Sequence, residues 1–267
     1  MCIRDSDQPC VIVVPGSLGV GPNHQAHAET LVSNGYAVCV VDPFGARAVD
    51  STVANQTAYS FAASAYDVLA TLAVLRERNE IAADKIGAQG HSRGGAAVLG
   101  AACRRFADPI VGSDVALAGV YAVYPWCGQQ FVDPSVGDTR VRAIIGELDE
   151  WCSVQEAQGQ INAMRASGAD ATIRIVEGAQ HSFDRLEAPY TIAEASVTQF
   201  APTVMLGDDG AMIDPVSGVA DPSLTDRELF RASVARGWGR RGAAIGGVGD
   251  EPALFTEDML AFHSQMR

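Results

Sequence analysis

The chain has 267 residues, of which 48 % are hydrophobic and 19 % charged, a balance typical of globular proteins with a sizeable core. Its formal net charge of −13 at pH 7 disfavours binding to phosphate backbones and anionic membrane surfaces. No apolar run reaches the length of about 18 residues that a membrane span needs. We therefore expect neither a nucleic-acid nor a membrane partner. The length suits a single doubly wound α/β domain.

The first six residues differ in character from the rest of the chain. Residues 1–6, MCIRDS, resemble the in-frame translation of a sequencing adapter, and no apolar region of the signal-peptide kind follows them. We therefore expect residues 1–6 to be a non-native scar, native sequence to be missing upstream, and residues 7–267 to form one domain. The sequence leaves the compartment undetermined, with cytoplasmic, periplasmic and secreted locations all open.

Short apolar runs alternate with helical patterns along the chain. Residues 10–14 lack polar alternation, which predicts a strand of a parallel sheet covered on both faces. A Gly-rich loop follows, then a helical pattern over 25–34 that Gly35 ends, and a second apolar run over 36–41. The same criteria predict strands over 85–89, 118–124, 141–145 and 172–176, and helices over 57–79, 96 to about 105, 154–167 and 256–265.

This alternation predicts crossover connections and therefore a mostly parallel, doubly wound sheet flanked by helices. We expect six parallel strands in the sequence-number order 2-1-3-4-5-6, with 36–41 at an edge. Residues 202–249, where Gly, Pro and Asp are scattered, allow no assignment.

The segment Gly90-His91-Ser92-Arg93-Gly94 fits the pattern G-x-S-x-G, which places a serine at a sharp turn from strand to helix. The strained backbone at the serine needs glycine on either side, where a side chain would collide. An apolar run precedes the pattern and a helix-forming run follows it, as the motif requires. Ser92 is the predicted nucleophile; the alternative is a Gly-rich turn that only begins a helix.

A serine hydroxyl needs a base to remove its proton, and the base needs an acid to hold its tautomer. Two histidines follow Ser92 in the sequence, His181 and His263. His181 comes directly after the last predicted parallel strand, whereas His263 falls in the closing helix pattern as a surface or packing residue. His181 is therefore the predicted base.

The acid should lie between Ser92 and His181, just past the end of a strand. Three acids compete in the segment GELDEWC: Glu147, Asp149 and Glu150. Asp149 is preferred because the loop should begin there. Glu147 is still close to the strand, and Glu150 more simply starts the next helix.

Two N–H groups should stabilise the oxyanion that forms when a carbonyl is attacked. One is that of Arg93, directly after the nucleophile, and the other comes from the loop after the first strand, where Ser17 is best placed and Leu18 second. A phosphate loop is the competing interpretation of this Gly-rich segment, but it has no P-loop lysine and no G-x-G-x-x-G.

Arg47, after the second strand, is a candidate for binding a carboxylate-bearing substrate at the pocket mouth; the alternative is a plain surface arginine.

Residues 9–183 resemble the dienelactone hydrolase family of the α/β-hydrolases. The resemblance is carried, in order, by VVPGSLG, VDPFGAR, GAQGHSRGG, YPWC, IIGELDEWC and GAQHSFD. It implies hydrolysis of a small-molecule ester or lactone without metal or cofactor. Two positions differ from that family: dienelactone hydrolases proper have a cysteine where this chain has Ser92, and an acid where it has Gly16. The resemblance therefore defines the reaction class better than the substrate.

In the full fold, two strands precede the one that leads into the oxyanion loop, so the resemblance also implies that this chain lacks its first two strands. Their absence would leave 36–41 uncovered and make the chain prone to aggregate. An antiparallel strand from 202–214 paired with 36–41 would contradict this hypothesis.

We therefore predict a serine hydrolase of the α/β-hydrolase fold that forms an acyl-enzyme on Ser92. Alternatives are a peptidase or acyltransferase on the same fold, or a binding protein that lost the chemistry.

Cys127 and Cys152 follow strands expected to be neighbours, and we expect their α-carbons within about 7 Å, the reach of a disulfide. The alternative is a pair of buried free thiols. The oligomeric state is left open.

Overall fold

The computed structural model describes residues 8–266, so the adapter-like residues 1–6 lie outside the described part of the chain. Its core is a parallel sheet of six strands in the order β2-β1-β3-β4-β6-β7, which confirms the predicted doubly wound architecture and strand order. Strand β1 is buried on both faces, which explains its unbroken apolar run. The six strands are β1 (Gln8–Val14), β2 (Ala37–Val40), β3 (Ile81–His91), β4 (Gly119–Val123), β6 (Arg140–Gly146) and β7 (Ala171–Val176).

Helices cover both faces of this sheet, and the predicted ones are present with shifted ends. The pattern over 57–79 forms a shorter helix, because the side chain of Ser60 caps its start by accepting from the N–H of Ala63 (3.1 Å). The Ala-rich helix stops at Cys103, and a separate short helix follows. The helices are α1 (Pro22–Ser33), α2 (Phe61–Arg76), α3 (Arg93–Ala102), α4 (Arg104–Val111), α5 (Val154–Ala166), α6 (Asp226–Ala235) and α7 (Glu251–His263).

Strand β2 lies at an edge of the sheet, as predicted, and pairs with β1. No antiparallel strand from 202–214 pairs with it within residues 8–266; that segment pairs elsewhere. The aggregation of this chain through β2 stays a prediction.

Residues 202–249, which had no sequence assignment, contribute strands to two small sheets, each completed by a strand from outside that range. Strand β8 (Tyr190–Val197) pairs antiparallel with β12 (Arg240–Ile245). A second sheet has the order β11-β10-β9-β5. Its strands are β5 (Gln129–Phe131), β9 (Val204–Leu206), β10 (Met212–Ile213) and β11 (Ala220–Asp221).

The closing helix α7 packs against the central sheet. Asp258 accepts from the hydroxyl of Tyr121 (3.0 Å), and Nε2 of His263 lies 3.0 Å from Oε1 of Gln89. Burial lowers the pKa of His263 to about 3, so this residue is a neutral packing group, as the sequence indicated. Within residues 8–266, none of the helices combines the length and apolar character needed to cross a membrane.

Candidate active site

Ser92 lies at the turn between β3 and α3 with φ 57° and ψ −114°, a backbone conformation that residues with side chains rarely adopt. Its N–H donates to the carbonyl of Val123 (2.8 Å), which holds the turn against the neighbouring strand. A Cβ at Gly90 would collide with the backbone of Gly94, and one at Gly94 would lie 2.6 Å from the carbonyl oxygen of Pro15. The turn therefore has the strain and the close packing that the G-x-S-x-G pattern predicts.

Asp149 and His181 come from loops after the neighbouring strands β6 and β7, and their side chains meet. Oδ2 of Asp149 lies 2.6 Å from Nδ1 of His181, and the residues are only 2 % and 3 % exposed. The other carboxylate oxygen, Oδ1, accepts from the N–H groups of Trp151 and Cys152, each at 2.8 Å. The carboxylate is thereby held in one orientation, and Nε2 of His181 is left for another partner.

The two competing acids point elsewhere. Glu147 accepts from the N–H of Gly178 (2.9 Å), and Glu150 accepts from the N–H of Ala244 (2.8 Å). Of these three acids, all within the described range, Asp149 alone contacts His181.

The ring of His181 packs between two aromatic side chains. Trp151 stacks on it with centroids 5.4 Å apart and planes 18° apart, and Tyr124 lies at 4.5 Å. His181 and Ser92 line the same pocket, called here the His181 pocket, with an empty volume of about 360 Å³. Within residues 8–266 no hydrogen bond joins the two side chains. Such bonds are often long in ligand-free enzymes and shorten when substrate binds.

The loop after β1 brings backbone N–H groups to the same place. A Cβ at Gly16 would lie 3.2 Å from Cβ of Ser92, so this backbone passes directly beside the serine. The hydroxyl of Ser17 donates to Oε1 of Gln56 (2.9 Å). Within residues 8–266, the N–H of Ser17 and that of Arg93, the first residue of α3, donate no backbone hydrogen bond. These two unengaged N–H groups belong to residues that, together with Ser92, line a neighbouring space.

The side chains of Arg93 and Arg47 are both engaged by other protein groups. The Arg93 guanidinium is buried, lies 4.1 Å from the ring centroid of Phe61 and donates to the carbonyl of Tyr59 (2.8 Å). Burial lowers its pKa to about 10. Arg47 pairs with Asp67 at 2.9 Å and does not line the spaces around Ser92 in the described residues. Arg47 therefore lies beside Asp67 and does not line these two spaces, and its role in binding a carboxylate-bearing substrate stays a prediction.

A buried polar network that the sequence analysis missed lies behind the turn. Asp184 lies 2.8 Å from both Nε2 of His27 and the hydroxyl of Tyr124, and the His27 ring stacks on His91 at 5.4 Å. Burial by itself raises the pKa of Asp184, but its contacts with His27, His91 and Asn23 together outweigh burial and hold the pKa well below its usual range. Burial lowers the pKa of His91 well below its usual range. The sequence feature that pointed to this network is the pair His24 and His27, which lie about one turn apart on α1.

In the described part of the chain, two groups of side chains have donor atoms within 4.8 Å of one another, a spacing that suits a metal ion; they are His27, His91 and Asp184, and Asp149, Cys152 and His181. In each group the carboxylate is already bonded to a histidine. Protein partners therefore satisfy both carboxylates.

Cys127 and Cys152 are free, buried thiols and form no disulfide. This is the second of the two arrangements that the sequence allowed. Burial raises the pKa of both thiols well above the usual range. The loop that carries Asp149 is held by its own backbone hydrogen bonds instead.

Further residues around Ser92 come from the part of the chain that follows His181. Ser196, Val197, Thr198 and Phe230 line a second space at Ser92, and Ile245 lines the His181 pocket. No sequence signal distinguished them, because their role depends on how β8, β12 and α6 fold back over the sheet.

A strained serine at a strand–helix turn, beside a buried Asp–His pair at the carboxyl edge of a parallel sheet, defines an α/β-hydrolase. The sequence profile of the dienelactone hydrolase family matches residues 2–204, more than half of the chain. The chain belongs to the dienelactone hydrolase family, and it is a hydrolase that acts on esters or lactones. No curated protein sequence matches it significantly.

Solved structures agree on the fold. The esterase Est2 from the Planctomycetes species Thermogutta terrifontis, in its propionate-bound form, is 15 % identical with a TM-score of 0.53, over 68 % of this chain and 76 % of that one. A provisionally assigned dienelactone hydrolase from Klebsiella pneumoniae is 18 % identical with a TM-score of 0.52, over 68 % and 78 % of the two chains. MGS-M1, an α/β-hydrolase from a deep-sea metagenome library, is 15 % identical with a TM-score of 0.50, over 68 % and 73 %.

Proposed function

We propose that this protein hydrolyses a carboxylic ester or lactone through an acyl-enzyme on Ser92, with His181 as base and Asp149 as the acid. The observation that carries the proposal is the buried contact between Asp149 and His181 in the pocket that Ser92 borders. Because Nδ1 of His181 faces the carboxylate, the proton sits there and Nε2 is free to accept the serine proton.

The reaction then proceeds in two steps. Oγ of Ser92 attacks the substrate carbonyl while its proton passes to Nε2 of His181, and the N–H groups of Ser17 and Arg93 bind the resulting oxyanion. The C–O bond to the alcohol breaks, and His181 returns the proton to the leaving oxygen. Water, deprotonated by His181, attacks the acyl-enzyme and releases the acid and Ser92.

The environment of the pair supports this assignment. The N–H groups of Trp151 and Cys152 hold the Asp149 carboxylate, so it can orient His181 and stabilise its protonated form. No step of this scheme calls on a metal or an organic cofactor.

Labelling with a fluorophosphonate probe tests the proposal. The wild-type protein should be labelled once and lose hydrolysis of 4-nitrophenyl acetate in parallel, whereas Ser92→Ala should do neither. Absence of labelling in a folded wild-type protein would favour the alternative, a non-catalytic binding protein on this fold.

A peptidase or acyltransferase on the same scaffold is the remaining alternative. Matched anilide and ester substrates separate the first possibility, and added short alcohols as acceptors separate the second. Hydrolysis of esters without anilide cleavage or ester exchange is the expected result.

A further inference from the structure

A large apolar cavity lies beside helix α3, with an empty volume of about 860 Å³ that includes its opening to solvent. Its walls come from α2, α3, α4 and the small sheet of β5, β9 and β10. The side chains that line it include Ala65, Ala96, Leu99, Phe106, Leu206 and Met212. Leu206 and Met212 lie beyond the residues that match the family profile, so the wall they form belongs to this chain's own carboxyl-terminal segment.

The polar groups at this cavity are few. Asp226 accepts from Nε2 of Gln129 (2.7 Å) and from the N–H of Phe61 (2.9 Å), so its carboxylate is engaged by the protein. Oε1 of Gln160 is buried without a partner in the described residues. Most of the other side chains that line the cavity are apolar, so it favours an apolar ligand.

The cavity adjoins a smaller space of about 410 Å³, called here the Trp126 pocket, which Ser92, Arg93, Trp151 and Cys152 border. Phe61 and Trp126, stacked with centroids 4.0 Å apart, line both this pocket and the apolar cavity. The two spaces therefore meet at this ring pair.

Helix α3 connects the serine to the cavity by a row of small residues. Ala96 and Gly100 follow Ser92 at intervals of four, which places them on one face of the helix, and both line the cavity. From Ser92 to Gly100 the helix rises about 12 Å. That length suits an extended acyl chain of about eight carbons at ~1.5 Å or less per bond.

The position of His181 indicates which half of the ester, the acyl group or the alcohol, lies on the side of the Trp126 pocket. His181 must protonate the leaving alcohol, and it lines the His181 pocket but not the Trp126 pocket. The alcohol therefore belongs in the His181 pocket, and the acyl group lies on the side of the Trp126 pocket.

We propose that the apolar cavity binds the alkyl chain of the substrate's acyl group, so that the protein prefers esters of medium-chain fatty acids. This inference rests on the proposed ester hydrolysis at Ser92. Each methylene that enters the cavity should raise kcat/KM about fourfold, the value of burying one CH₂ group. The rise should continue to about eight carbons and then level off.

The test compares 4-nitrophenyl esters from acetyl to decanoyl, below their aggregation concentrations, in the wild-type protein and two variants. Ala96→Leu, which fills the cavity, and Ala62→Trp, at its rim, should each lower the ratio of octanoyl to acetyl kcat/KM at least tenfold. Ala73→Trp on the exposed side of the same helix α2, which does not line the cavity, is the matched control and should keep the wild-type ratio. Thermal unfolding confirms that each variant is folded.

A second substrate series, acetate esters of alcohols of increasing length, tests the assignment of the two halves. If kcat/KM rises along the alcohol series and Ala96→Leu abolishes that rise, the cavity binds the alcohol and the proposal is overturned. A wild-type protein that cleaves acetyl esters best, with a ratio that neither variant changes, would overturn it too. Failure of ester cleavage together with failure of fluorophosphonate labelling would instead refute the proposed function.

Discussion

Replacing Asp149 by asparagine should reverse the tautomer of His181 without changing the packing around it. Two N–H groups hold Oδ1 of Asp149, so the amide must keep its oxygen there and turn its NH₂ group toward His181. Nδ1 of His181, 2.6 Å from that position, must then act as the acceptor. Its proton moves to Nε2, where it faces the serine and prevents His181 from acting as base.

The wrong tautomer in a triad of this kind costs about 10⁴-fold in kcat, or ~5 kcal/mol of transition-state stabilisation. The assay is kcat and KM for 4-nitrophenyl acetate, with the melting temperature as a check on folding. Glu147→Gln and Glu150→Gln are the matched controls, because those carboxylates bond to backbone N–H groups away from His181. They should keep kcat within a few-fold. An Asp149→Asn protein with more than a tenth of the wild-type kcat would refute the reasoning.

Three further predictions concern stability and reactivity. Burial raises the pKa of Glu156 from 4.5 to about 7, so the folded protein keeps a proton that the unfolded chain releases. The stability from this group is present below pH 4.5 and is lost as the pH rises to about 7. Glu156→Gln should therefore remove a decline of about 1–3 kcal/mol in urea unfolding across that window; an unchanged pH slope would contradict the shift. Gly94→Ala should destabilise by about 3 kcal/mol because its Cβ would meet the Pro15 backbone. Gly159→Ala on α5, with open space around it, should stabilise by about 0.5–1 kcal/mol, and equal effects would show that the turn is not tightly packed. Cys127 and Cys152 should stay unmodified by iodoacetamide at pH 8 until the protein unfolds; rapid modification, or an intact disulfide on mass spectrometry, would contradict their burial as thiols.

Most of the central sheet could be predicted from the sequence, because inner strands such as β1 and β4 are buried on both faces and therefore appear as unbroken apolar runs. The turn at Ser92 and the placement of His181 were equally local, since both follow from what immediately precedes and follows them along the chain. Asp149 could only be preferred over Glu147 and Glu150. The choice depends on where each side chain points after β6, and the contact with His181 supplies that information.

Tertiary structure alone decided the rest of the site. Arg47 was placed by the end of a strand, but its partner Asp67 lies on a different element, and sequence spacing does not show such ion pairs. Strands β9, β10 and β11 are only two or three residues long, and β8 and β12 are partly exposed, so none of them has the unbroken apolar run that predicts a strand inside the core. The apolar cavity forms only where those strands meet α2 and α3. A cavity is a property of surfaces that come together from distant parts of the chain, and no single segment of the sequence encodes it.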